Sequence, residues 1–171
     1  MITSDWSRHD LSWTDPVGQL FWPGKDLFRG IRAERADFYR DLFKRNIIQD
    51  LIEKKLLVET WVTDNSTEEF PLILQHRVLP TVTFASEWCE VSFKRAAVLI
   101  LDLEIALRKN GLTLMDINPW NMLLDGAAPL YVDFCSISPL ADKRRWAASE
   151  QYERFFLNPV TLHSKGLSRT A

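Results

Sequence analysis

The chain has 171 residues, 46% of them apolar and 12% aromatic, so it can bury a core and is not a disordered segment. A net charge of −2 with no basic stripe argues against nucleic acid and against an acidic membrane surface as partners. The two cysteines lie far apart, the three histidines lack ligand spacing and no apolar run is long enough for a bilayer, which excludes a disulfide scaffold, a zinc site and a transmembrane span and fits a cytoplasmic protein.

Residues 1–18 are polar with scattered Trp and read as an irregular arm with no signal-peptide pattern. Two short apolar runs, 19–22 and 27–31, flank Pro23-Gly24 and predict a hairpin. From 34 to 55 the pattern turns helical, with Phe38, Leu42, Phe43, Ile47, Ile48, Leu51 and Ile52 on one broad face. Residues 56–62 and 70–78 read as strands around a turn at 63–67, and Pro80 breaks the pattern. Residues 87–110 predict a long helix, apolar all round at Ala96–Leu101 and therefore buried on most sides, with Gly111 as its stop. Met122-Leu123-Leu124 and Leu130-Tyr131-Val132 predict a second hairpin about Asp125-Gly126. The segment 141–157 is expected to be a charged helix that starts at the solvated run 142–145 and is ended by Pro159. The seven Trp are expected in core and interface packing, Cys135 as a small packed residue, and Arg29 and Arg32 as solvent or helix-end charges. The element order gives an α+β chain with an arm at 1–18 and two regions, 19–80 and 81–171.

The chemistry concentrates in Leu114–Ser136, LMDINPWNMLLDGAAPLYVDFCS. Asp116 and Asn121 fall in a loop after the buried helix, and Asp133 at a strand end. As ordinary loop residues, Asp116 and Asn121 would cap backbone groups, and Asp133 would be a turn residue. A loop carboxylate, a loop amide and a strand-end carboxylate can also converge on one point. In phosphoryl transfer one Asp then orients the hydroxyl nucleophile, while the Asn and the second Asp supply hard oxygen ligands for Mg²⁺ on the phosphates. That assigns Asp116 as the catalytic group and Asn121 and Asp133 as metal ligands, facing one cleft.

D-I-N-P-W-N followed by V-D-F-C resembles the catalytic loop and metal-binding Asp of the protein-kinase-like fold, in particular its aminoglycoside phosphotransferase branch. Asp116, Pro119 and Asn121 match H-x-D-x-x-P-x-N in register, and Asp133-Phe134 match the start of D-F-G. The resemblance implies a small N-lobe of sheet plus one helix, a partial helical C-lobe, and Mg²⁺ with a nucleotide as cofactor. Four departures stand beside it: Leu114 replaces the His, Cys135 replaces the Gly, and neither a G-x-G-x-x-G loop nor a strand lysine is present. More narrowly, F-R-G-I, H-R-V-L-P, G-L-T-L-M-D-I-N-P-W-N and P-L-Y-V-D-F resemble the kinase-like N-terminal region of certain bacterial S-adenosylmethionine-dependent methyltransferases, some of them nodulation-related. The methyltransferase domain, and with it S-adenosylmethionine, would belong beyond Ala171, as a C-terminal domain or a separate partner protein. The resemblance therefore implies a kinase-like region that binds a nucleotide or another small molecule, or else a non-catalytic pseudokinase-type module or an inactive fragment.

Overall fold

A computed structural model describes residues 15–167 together with Trp6 and Ser12. Most of the arm expected at 1–18 therefore lies outside the described residues. The described chain divides into two compact units: one holds the described residues up to Glu53 and Val58–Leu79, the other Lys54–Leu57 and the described residues from Pro80 onward.

The first unit is built on a four-stranded antiparallel sheet whose strands lie in the order 18–21, 27–31, 72–76, 60–62. Strands β1 (Gly18–Phe21) and β2 (Leu27–Ile31) form the hairpin expected around Pro23-Gly24, and Gly24 takes the positive φ of 65° that its turn requires. β4 (Leu72–His76) pairs with β2 on one side and with the short β3 (Thr60–Val62) on the other. Directly paired residues share a sheet face. Phe21, Phe28 and Ile73 thus gather on one face, where Phe70 and Trp6 pack against them. The opposite face carries Arg29, Leu74, His76 and Thr60.

The helix expected over 34–55 is two helices, α1 (Ala33–Lys44) and α2 (Ile47–Glu53). Asn46 adopts φ 57° between them, and a non-glycine residue in that left-handed region interrupts the helical ladder. The strand expected from residue 56 begins only at Thr60, and Leu57 forms an isolated parallel bridge with Tyr131 in the second unit instead. Arg29, expected as a solvent charge, is 6% exposed and bonded to Asp15 at 2.9 Å. Arg32 is partly exposed and paired with Glu69 at 3.1 Å.

The second unit centres on α3 (Glu90–Arg108), which buries Phe93, Ala96, Ile100, Leu103 and Leu107. The helix is not buried on most sides, as its apolar run led one to expect, because Val91, Val98, Leu101 and Ile105 stay exposed. β6 (Met122–Asp125) and β7 (Ala128–Tyr131) form the expected hairpin, with Gly126 at φ 63° in its turn. A further ladder joins β5 (Leu112–Leu114) to β8 (Ile137–Pro139), which brings the two ends of the chemistry-bearing stretch together.

The last helical run corrects the sequence reading. Residues 141–148 are turns, and helix begins as α4 (Ser149–Tyr152). Asp142 accepts the backbone N–H of Arg144 at 2.8 Å, and the Arg108 guanidinium donates to the carbonyls of Lys143 and Arg145 at 3.0 and 2.7 Å. Those carbonyls are therefore withdrawn from any helical ladder. After α4 comes a π turn (Glu153–Leu157) and then α5 (Asn158–Ser164), so Pro159 does not end the helix but sits in the first turn of α5. Proline is tolerated in a first turn, and the wide turn before it already interrupts the ladder. Nor are the Trp uniformly core residues, since Trp22, Trp61 and Trp120 are exposed. Neither Cys135, which is buried, nor Cys89, which is exposed, forms a disulfide among the described residues. All the ladders among the described residues are antiparallel, and the protein is α+β.

Candidate functional site

Asp116 lies two residues beyond the end of β5. Its backbone is held by Ser136, whose hydroxyl donates to the Asp116 carbonyl at 2.9 Å and accepts the N–H groups of Met115 and Asp116 at 3.1 and 2.8 Å. The hydroxyl of Tyr131, at the end of β7, donates to the same carbonyl at 2.5 Å. Asp116 Oδ1 accepts the N–H of Asn118 at 3.0 Å, an Asx turn that starts the loop. Asn118 then caps the single 3₁₀ turn Pro119–Asn121 by accepting from Trp120 N at 3.1 Å, with Pro119 at its first position. Asp116 thus does perform the ordinary capping task of a loop Asp, through one oxygen. Among the described residues its Oδ2 makes no hydrogen bond.

Asn121 ends that turn, and its carbonyl accepts Val132 N at 2.9 Å, which ties the loop to the segment after β7. Across this tie, the Asn121 amide nitrogen lies 3.4 Å from Asp133 Oδ2. Asp133 opens the next 3₁₀ turn, Phe134–Ser136, and both it and Asn121 are half-buried. The two groups proposed from sequence as metal ligands are therefore neighbours, brought together from twelve positions apart. Asp116 belongs to the same cluster through Tyr131. Burial first, then the charge of Asp133, and to a lesser degree that of Asp116, push the Tyr131 hydroxyl well above its ordinary range, while bonding with Ser136 and Asn121 acts the other way. At neutral pH the phenol is a fixed donor between two carboxylates.

The donor set fits Mg²⁺ in kind: the Asp133 carboxylate and the Asn121 amide offer hard oxygen ligands. Asn121 would present Oδ1 after a half-turn of its amide, which exchanges O and N at nearly the same positions. Among the described residues, no group of three or more His, Cys, Asp or Glu gathers at a common point, so an ion here would complete its shell with water and phosphate oxygens. A cavity of about 610 Å³ opens beside the same loop, lined among others by Trp88, Phe93, Asn118, Trp120, Arg154 and Phe155.

Sequence reasoning missed the groups that hold the loop. Glu104, 4% exposed on α3, accepts from Arg108 Nε at 2.6 Å, Thr113 Oγ1 at 2.9 Å and Leu114 N at 2.9 Å. It fixes β5 ahead of Asp116. Gln151 accepts Ile117 N at 2.9 Å from α4. A polar residue inside an apolar helical run was the available signal for Glu104; Ser136 and Gln151 left none. Leu114 is fully buried in β5.

Among the described residues no helix is long and apolar enough to cross a membrane. No family model matches the chain. The chain is similar to the nodulation protein NoeA of Rhizobium meliloti (strain 1021), with 27% identity over 158 residues that cover 90% of this chain and 33% of that protein, so it spans about a third of the length of this relative.

Proposed function

We propose that this chain is a kinase-like region of a nodulation-type protein, that it binds a Mg²⁺-nucleotide through Asn121 and Asp133, and that Asp116 is placed to receive a proton from a hydroxyl acceptor. The observation that carries this reading is the 3.4 Å approach of Asn121 and Asp133, with Asp116 pinned on the same loop by Ser136 and Tyr131. When bound, the metal would neutralise charge on the phosphates. The protein's own part is positional. Ser136 and Tyr131 hold the Asp116 backbone, the Asx turn occupies Oδ1, and Oδ2 is left to take the proton. The cavity beside Asn118 and Trp120 offers room for a small acceptor. By the resemblance in sequence, a methyltransferase domain that uses S-adenosylmethionine would act alongside this region in the longer protein.

A non-catalytic reading is favoured by the cationic side. Arg29, the strand cation nearest in sequence to a kinase lysine, is buried and bonded to Asp15. A site with one grip on the phosphates can bind a nucleotide without turning it over. Titration calorimetry of MgATP into wild type and Asp133→Asn tests the binding, and single-turnover hydrolysis with wild type and Asp116→Asn tests the chemistry. Binding by wild type that Asp133→Asn abolishes supports the metal site. No binding by folded wild type overturns it, and binding without turnover selects the pseudokinase form.

A further inference from the structure

We propose that α3 is a self-association face, on which a second copy of this chain docks its own α3 antiparallel about a two-fold axis at Val98. The exposed apolar residues of α3 form a stripe: Val91 is 59% exposed, Val98 50% and Ile105 54%, each seven positions from the next, with Leu101 beside them at 38%. The opposite face of the helix is buried within its own unit. A seven-residue apolar period spans two turns and marks a helix-pairing seam. Here it runs over fourteen residues, or about 21 Å of helix.

The pattern names its own partner. In an antiparallel pair centred on residue 98, each position meets the one equally far on the other side. Val91 then meets Ile105, Val98 meets its own copy, and Lys94 meets Asp102, twice over by symmetry. The aliphatic stem of Arg95 covers Leu101. A parallel pair would instead set Lys94 against Lys94 and Asp102 against Asp102. Such a match of one face to its own reverse is what an isologous interface requires, and a foreign helix would have no cause to reproduce it. The contact is more than a seam, because a groove of about 640 Å³ runs along Val91, Lys94, Val98 and Asp102 with Lys54 and Leu56 in its other wall. The partner helix would lie in that groove with its Asp102 toward a basic rim.

The inference is independent of nucleotide binding and is tested on the whole chain. Light scattering should give a species of twice 19.9 kDa that Val98→Asp converts to monomer with an unchanged circular dichroism spectrum. Lys94→Asp and Asp102→Lys should each weaken the dimer about tenfold, since each makes two charge pairs repulsive. Mixing the two variants should restore dimer as a heterodimer, because every pair is then of opposite sign. In a Cys89→Ser background, Val98→Cys should cross-link to itself, whereas Val91→Cys should cross-link with Ile105→Cys and not with itself. A 19.9 kDa species at every concentration, a dimer indifferent to Val98→Asp, or charge variants whose mixture stays dissociated would overturn the proposal.

Discussion

Acidification from pH 7 to 5 should weaken the first unit through His76. The imidazole lies on β4, 4% exposed, with Nδ1 at 2.8 Å from Thr60 Oγ1. Thr60 gives its own proton to the Val58 carbonyl at 2.9 Å, so Nδ1 is the donor in its bond with Thr60. Burial, and after it the charge of Arg29 on the same sheet face, lowers the imidazole pKa from 6.5 to about 3. The unfolded chain takes up a proton as pH falls below about 6.5, and the folded chain refuses it down to about 3. Unfolding is thus coupled to proton uptake throughout that window, and stability falls with pH across it. At about 1.4 kcal/mol per pH unit, the step from 6.5 to 5 costs about 2 kcal/mol. Carboxylates contribute their own dependence, so the assay is a difference. Urea unfolding at pH 7 and pH 5 is compared between wild type and His76→Gln, which keeps a donor for Thr60 and cannot titrate. Wild type should lose about 2 kcal/mol more than the variant. Equal losses in the two proteins, or a His76 resonance titrating near its ordinary value in the folded state, would refute the reasoning.

Arg29→Ala should cost about 3 kcal/mol in chemical denaturation, because it strips the Asp15 carboxylate of a buried partner, whereas Arg32→Ala should cost about 1 kcal/mol or less. Gly30→Ala should destabilise by about 2 kcal/mol in the same assay, since a Cβ there would stand 2.5 Å from the buried Phe70 ring and either strand or ring must move. Glu104→Gln turns a double acceptor toward three donors into a group that carries a competing N–H. It should cost about 2 kcal/mol and speed hydrogen exchange at the Leu114 amide.

The elements legible in the sequence were those whose signals are local. Pro23-Gly24 and Asp125-Gly126 mark tight turns between apolar runs, and both hairpins form there. The approach of Asn121 to Asp133 was legible because one lies in a loop and the other at the strand end that follows it. What escaped depends on distant groups. The β5–β8 ladder pairs residues about 25 positions apart, and neither three-residue strand carries a pattern of its own. Residues 142–145 have the composition of a helix start, but Arg108, some 35 positions away, takes their carbonyls. The break at Asn46 has no proline or glycine to announce it. In each case tertiary contacts overrode local propensity.

The four residues Lys54–Leu57 belong to the second unit although the chain on both sides belongs to the first. Leu57 is 1% exposed and bridges to Tyr131, whose N–H reaches the Leu56 carbonyl and whose hydroxyl secures the Asp116 loop. The unit that carries the candidate site is therefore sewn from two pieces of chain. A cut at Pro80 yields a downstream fragment with the whole Leu114–Ser136 stretch but without the stitch behind Tyr131. Proteolysis or gene dissection at that boundary would leave a site complete in its residues and slack in its backing. During synthesis the second unit can recruit its stitch at once, because residues 54–57 emerge before the rest of it.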